Sequence, residues 1–127
     1  MKIINILIVA LSLVACSVDK PLETTATQVV LRVDNKKFDS ILNVTPNIQL
    51  IDVRTQGEFN SGKIEGAKNF DIRNGDFVKH ILDLEKETPI ALYCHGGNRS
   101  SQARKMLEEK GFSFIVELEK GFSQYSK

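Results

Sequence analysis

The apolar run Ile90–Tyr93 stops at Cys94, and His95-Gly96-Gly97-Asn98-Arg99 separates that thiol from a helix-like segment over residues 100–110. A chain in that order must turn from a buried strand into a helix within a few residues, with a cysteine at the turning point. Such a crossing leaves main-chain N–H groups without partners and sets them at the positive end of a helix dipole. Both stabilise a thiolate, so the pattern points to an activated nucleophile and not to a packing cysteine. Gly96 and Gly97 can take positive φ at no steric cost, and Asn98 tolerates it better than most residues. Residues alternating in hand would turn their N–H groups inward as a nest around the sulfur. The planar fork of Arg99 would close the ring, and Ser100 or Ser101 would cap the helix. Thiols in such settings ionise at about pH 3.5–7.5, against about 8.5 when free.

The rest of the chain alternates strand-like and helix-like segments. Residues 29–33 read as a strand. Phe38, Ile41 and Leu42 share a helical face, with Asp34 as the N-cap. Residues 48–53 are apolar except for Gln49, as a strand covered on both faces would be. A short helix holds Glu58 and Phe59, and residues 67–71 form another short strand. Phe77, Ile81 and Leu84 mark a second helical face begun near Asn74 or Asp76, and Pro89 precedes the 90–93 strand. Ala103, Met106 and Leu107 stripe the helix after the cysteine, and Gly111 ends it. Residues 114–118 are the last strand and 121–125 a closing helix. This order predicts an α/β fold: a three-layer sandwich whose mostly parallel sheet carries helices on both faces. Ligands of such sheets bind at the carboxyl ends of the strands, where Cys94 is predicted to lie.

Spacing selects among thiol chemistries. Four residues stand between Cys94 and Arg99, whereas cysteine phosphatases use five to enclose a phosphoryl group. The tighter ring suits one extra sulfur atom on the thiolate better than a tetrahedral phosphate. Leu50-Ile51-Asp52-Val53-Arg54, then Glu58-Phe59, then Gly62-Lys63-Ile64-Glu65-Gly66-Ala67-Lys68-Asn69 precede the loop, and Leu118-Glu119-Lys120-Gly121-Phe122 follows it. With these segments in register over residues 29–127, the chain resembles the rhodanese family of sulfurtransferases.

The resemblance implies that Cys94 accepts a sulfane sulfur as a persulfide and passes it to a nucleophilic acceptor. His95, Gly96, Gly97, Asn98, Arg99 and Ser100 would bind that persulfide, and Asp52 and Arg54 would brace the active side of the sheet. A charge pair at the end of an apolar strand also has a purely structural reading, which is favoured for Asp52. The implied donor is a small sulfur-containing anion or a persulfide, and the implied acceptor a thiol or a cyanide-like nucleophile. No metal or organic cofactor is called for, and no metal-ligand spacing occurs in the chain. The chain departs from the family at Lys63, usually histidine, at Lys120, usually glycine, and in lacking the closing tryptophan, for which Tyr125 is the nearest aromatic. His95 stands where thiosulfate-using members often carry arginine or lysine, which leaves the donor open. It reads as a solvent-facing loop residue, because neighbours in a tight turn point apart. His80 reads as an ordinary surface or core histidine. Two other functions stay open: a catalytically silent binding module on the same fold, and a cysteine-dependent phosphatase or arsenate reductase, which the short loop disfavours.

The N-terminal segment bears on location. Lys2 precedes an apolar stretch through Ala15 that is shorter than the roughly 20 residues a membrane span needs, which is a secretory signal pattern. Leu13-Val14-Ala15-Cys16 resembles a bacterial lipoprotein cleavage box, so residues 1–15 are expected to be removed and Cys16 to be lipid-modified. A plain signal peptide or a membrane anchor with an incidental cysteine is the alternative. Residues 16–28, polar and threonine-rich with Pro21, read as a tether to a single domain over 29–127. The expected location is the bacterial cell envelope, lipid-anchored on the periplasmic face and leaning to the outer membrane because Ser17 follows Cys16. The chain has 17 basic and 16 acidic residues, and loss of Lys2 with the signal leaves sixteen of each. That balance gives no electrostatic case for nucleic acid, and a monomer is expected. Of the two cysteines, acylation of Cys16 would leave Cys94 as the free thiol.

Overall fold

The computed structural model describes residues 27–126. The expected signal peptide, Cys16 and the expected tether up to residue 26 lie outside the described residues. Gln28, the last residue of that expected tether, is tied down: its Nε2 donates to the carbonyls of Glu108 and Phe112 at 3.1 and 2.8 Å.

Five strands form one sheet: β1 (Val29–Val33), β2 (Gln49–Asp52), β3 (Lys68–Asn69), β4 (Ile90–Tyr93) and β5 (Phe114–Leu118). Their order is β1-β5-β4-β2-β3 and every pairing is parallel, where the sequence suggested only a mostly parallel sheet. Four helices cross over between them: α1 (Asn35–Val44), α2 (Gln56–Ser61), α3 (Asp76–Leu82) and α4 (Asn98–Glu109). A short 3-10 turn, Phe122–Gln124, closes the chain.

Alternation along the strands divides the core in two. Ile90 and Leu92 of β4 and Ile115 of β5 pack with Phe77, Ile81, Ala103 and Leu107, on the side of α3 and α4. Ala91 and Tyr93, with Val116 and Leu118, pack with Phe38 and Ile41 of α1 on the other side. β4 is buried along its whole length, so it has no solvent face and its end is a fixed platform. Each fully buried side chain of this size stabilises the fold by about 1.5–3 kcal/mol.

Helix starts follow local chemistry. Asp34 accepts from the Lys37 N–H at 2.9 Å and starts α1 as expected. Thr55 and Glu58 form a capping box on α2. The expected strand over 67–71 shrinks to Lys68–Asn69, because Asp71 Oδ1 takes the Arg73 N–H at 2.8 Å and turns the chain. Leu84 falls beyond α3 but packs against the same core. Gln49, the polar break in β2, meets His80 Nε2 at 3.2 Å, while the His80 ring stacks on Phe70 at 3.6 Å.

Candidate active site

Cys94 is the first residue beyond β4, at the carboxyl edge of the sheet, with its side chain 1% exposed. The Gly97 N–H donates to its sulfur at 3.1 Å, and Ser100 Oγ lies 3.4 Å away. Burial alone would push the thiol up. Hydrogen bonding with the Ser100 hydroxyl, which accepts from the thiol here and would have to turn to donate to a thiolate, and the N–H groups of Ser100, Gly97 and Gly96 outweigh it and hold the thiol below its ordinary value. The main-chain donors therefore do converge on the sulfur.

Two details of the expected loop are corrected. The helix begins at Asn98, and its N-cap is Gly97 with φ 101° and no side-chain cap, so neither Ser100 nor Ser101 caps it. Of the two adjacent glycines only Gly97 adopts positive φ, and Asn98 is already helical. A Cβ on Gly97 would also lie 2.4 Å from the Glu119 carbonyl oxygen, so the closing segment and the loop fit only with glycine there. The same segment pins the loop from behind: Phe122 N–H donates to the Cys94 carbonyl at 2.8 Å and Ser123 N–H to that of His95 at 2.9 Å. Gly121, at φ 65°, lets this pass, since a Cβ there would meet the Cys94 and His95 main chain within 2.7 Å.

The Arg99 fork is not aimed at an open anion site. Its two terminal nitrogens each donate to one Glu58 carboxylate oxygen at 2.7 Å. Glu58 Oε2 also takes the Thr55 N–H and hydroxyl, each at 3.0 Å. Arg99 above all holds the Glu58 carboxyl well below the usual carboxylate range, and Glu58 in turn raises Arg99. Ring closure by arginine thus comes with its own counter-ion from α2.

Asp52 and Arg54 form the expected pair, and both are buried. Arg54 Nη2 reaches Asp52 Oδ2 at 2.6 Å and the Gly62 carbonyl at 2.5 Å, and its guanidinium lies 4.3 Å from the Phe122 ring centre. Asn69 Nδ2 bonds the carbonyls of both residues, at 3.0 and 2.8 Å. The pair ties β2, β3, α2 and the closing turn together. His95 is exposed, as expected, and with Phe122, Ser61 and Gly57 borders an open cleft of about 580 Å³ between α2 and the loop. Among the described residues no three His, Cys, Asp or Glu side chains gather as metal ligands would.

Glu58 and Glu117 have roles that local sequence pattern only hints at. Glu58 carried a local signal, the Thr55-x-x-Glu58 spacing of a capping box. Glu117 carried a weaker one, a single carboxylate inside the apolar strand β5.

Residues 34–127 match the family model described as Rhodanese-like domain. The chain belongs to the rhodanese family. The rhodanese-like domain is 34% identical over 96 residues to the tRNA uridine(34) hydroxylase of Pelagibacter ubique, covering 75% of this chain and 32% of that protein. It is 32% identical over 79 residues to the thiosulfate sulfurtransferase GlpE of Shewanella oneidensis, covering 62% of this chain and 76% of that one. The solution structure of the rhodanese-like domain of the Anabaena sp. Alr3790 protein superposes with a TM-score of 0.64 at 29% identity, covering 74% of this chain and 71% of that chain. The chain spans about a third of the length of the hydroxylases it matches.

Proposed function

We propose that this rhodanese-like domain is a sulfurtransferase that works by double displacement on Cys94. The Cys94 thiolate attacks the outer sulfur of a donor, thiosulfate or a persulfide. The donor's S–S bond breaks, and sulfite or a thiolate leaves with the electron pair. The outer sulfur stays on Cys94 as a persulfide anion, for which the N–H groups of Gly96, Gly97 and Ser100 are positioned donors. A thiol or cyanide-like acceptor then attacks that terminal sulfur and returns Cys94 as thiolate. No proton needs to move on the enzyme if both nucleophiles arrive ionised.

The observation that carries this reading is a buried thiol at the end of β4 met by the main-chain donors of Gly96, Gly97 and Ser100. Both arginines of the rim are internally paired, Arg54 with Asp52 and Arg99 with Glu58. That pairing, with exposed His95 beside the thiol, favours a persulfide donor over dianionic thiosulfate. Turnover with glutathione persulfide should exceed turnover with thiosulfate, and Cys94→Ser should abolish both. Equal residual transfer in Cys94→Ser would overturn the proposal. We further propose that lipid-modified Cys16 holds a monomer at the cell envelope. Globomycin-sensitive processing and palmitate incorporation that fails in Cys16→Ala would support the anchor, and unprocessed soluble protein would overturn it.

A further inference from the structure

Glu117 has no exposed surface, yet it sits in β5, paired on one side with Arg32 of β1 and on the other with Leu92 of β4. Two-residue alternation puts it on the Ile115 side, under α4. An apolar residue would fill that position without the cost of desolvating a carboxylate. Two guanidiniums offset the charge, both through Nε to Oε2: Arg104 at 2.8 Å and Arg32 at 3.1 Å. Oε1 faces the other way and accepts from Ser101 Oγ at 2.8 Å and Ser100 Oγ at 2.9 Å.

Ser100 has one hydroxyl proton and three acceptors in reach: Glu117 Oε1 at 2.9 Å, the Gly97 carbonyl at 3.1 Å and the Cys94 sulfur at 3.4 Å. A hydrogen bond to an ionised acceptor is roughly twice as strong as a neutral one, so the carboxylate takes the proton. Ser100 then offers the sulfur a lone pair, which can only accept from the Cys94 S–H and so favours the thiol. For Ser100 to donate to a Cys94 thiolate, its O–H must turn away from Glu117.

We infer that Glu117 is a positioning residue for Cys94: by competing for the Ser100 hydroxyl proton it keeps the thiol harder to ionise than the amide nest alone would make it. The use of such a restraint rests on the proposed sulfur transfer. Thiolate nucleophilicity falls as its pKa falls, with a Brønsted slope of about 0.4–0.5, so an over-stabilised thiolate is a poor attacker. The other charged groups around the sulfur come from several elements. Arg99 of α4 is held by Glu58 of α2 and feels Asp71 from the β3–α3 connection. The Asp52–Arg54 pair ends β2, and exposed His95 adjoins the thiol. All of these stay in place in the variants below.

The test is the pH dependence of iodoacetamide alkylation at Cys94 in the full chain, resolved by peptide mass spectrometry so that Cys16 does not contribute. Glu117→Gln should lower the alkylation midpoint by about one pH unit, a tenfold gain in thiolate on the acid limb. Arg32→Gln removes a half-exposed counter-charge and leaves the carboxylate a stronger competitor. It should lower the thiolate fraction by about twofold, the scale of an exposed ion pair. In a Ser100→Ala background the Glu117→Gln shift should fall to less than half. Shifts of the same sign, no shift, or a Glu117→Gln shift undiminished without the serine would overturn the inference. If Glu117→Gln does not fold, the Arg32→Gln shift is compared with and without Ser100→Ala: a rise that falls to less than half without the serine supports the inference, and no rise or an undiminished one overturns it. No sulfur donor is present in this assay, so its failure is separate from any failure of persulfide formation.

Discussion

Two arginine–carboxylate pairs stand on the same rim of the sheet and differ in what surrounds them. Asp52–Arg54 is sealed, with side chains 0% and 3% exposed, Arg54 Nη2 also donating to the Gly62 carbonyl and the guanidinium lying over the Phe122 ring. Glu58–Arg99 is half-open, at 32% and 16%, and belongs at one end to the helix that follows the thiol. Burial therefore separates a brace from a movable part. A sealed pair cannot release its partner without leaving an unpaired buried charge, whereas water can replace either partner of the open one. The sealed pair fixes where β2 and α2 meet; the open pair sets how the cysteine loop is closed.

The contrast can be broken at the thiol itself, where the largest effect is expected. Cys94→Ser should reduce sulfur transfer by on the order of 10³-fold or more while leaving the unfolding midpoint nearly unchanged, because the smaller hydroxyl still accepts from Gly97. A large stability loss would mean that the cysteine is a packing residue. Next, Asp52→Ala should cost about 3–5 kcal/mol in denaturant unfolding by stranding Arg54. A cost below about 1 kcal/mol, the exposed-pair scale, would erase the distinction between the two pairs. Arg99→Lys keeps the charge and loses the fork. Transfer should fall about 10- to 100-fold, as a misplaced loop would produce, with stability altered by no more than about 1 kcal/mol.

The smallest effect is a pH signature. Arg99 holds the folded Glu58 carboxyl below its unfolded value. The resulting stabilisation is complete above the unfolded value of about 4.3 and is lost as pH falls through the lower folded value. Melting curves of wild type and Glu58→Gln should therefore differ at neutral pH and converge in strong acid. Curves that stay parallel would show that Arg99 and Glu58 are not coupled in solution.

Much of this was legible in the sequence because it is local. Strand and helix periodicity, the Asp34 cap and the buried run before Cys94 are each decided within about ten residues, and apart from the strand over 67–71, which shrinks to two residues, and Leu84, which falls beyond α3, they are found in place. The loop glycines mark the strand-to-helix turn, and the structure differs in two details: Gly97 alone takes positive φ, and α4 starts from it with no serine cap. What was not legible lies far apart in the chain. Glu58 reaches Arg99 across 41 residues and Ser100 meets Glu117 across 17. Nothing in local pattern reports which carboxylate meets which guanidinium once the sheet has brought them together. Gln49 is similar, a polar break in an apolar strand that makes sense only beside His80.

The proposed sulfur transfer requires the Cys94 nest to hold an added sulfur. Incubation with a sulfane donor, followed by intact-mass and peptide mass spectrometry, reads this directly. The expected result is one sulfur atom added at Cys94, removable by a thiol reductant and missing in Cys94→Ser. Unmodified Cys94 after exposure to both thiosulfate and glutathione persulfide, in protein whose Cys94 still reacts with iodoacetamide, would contradict it.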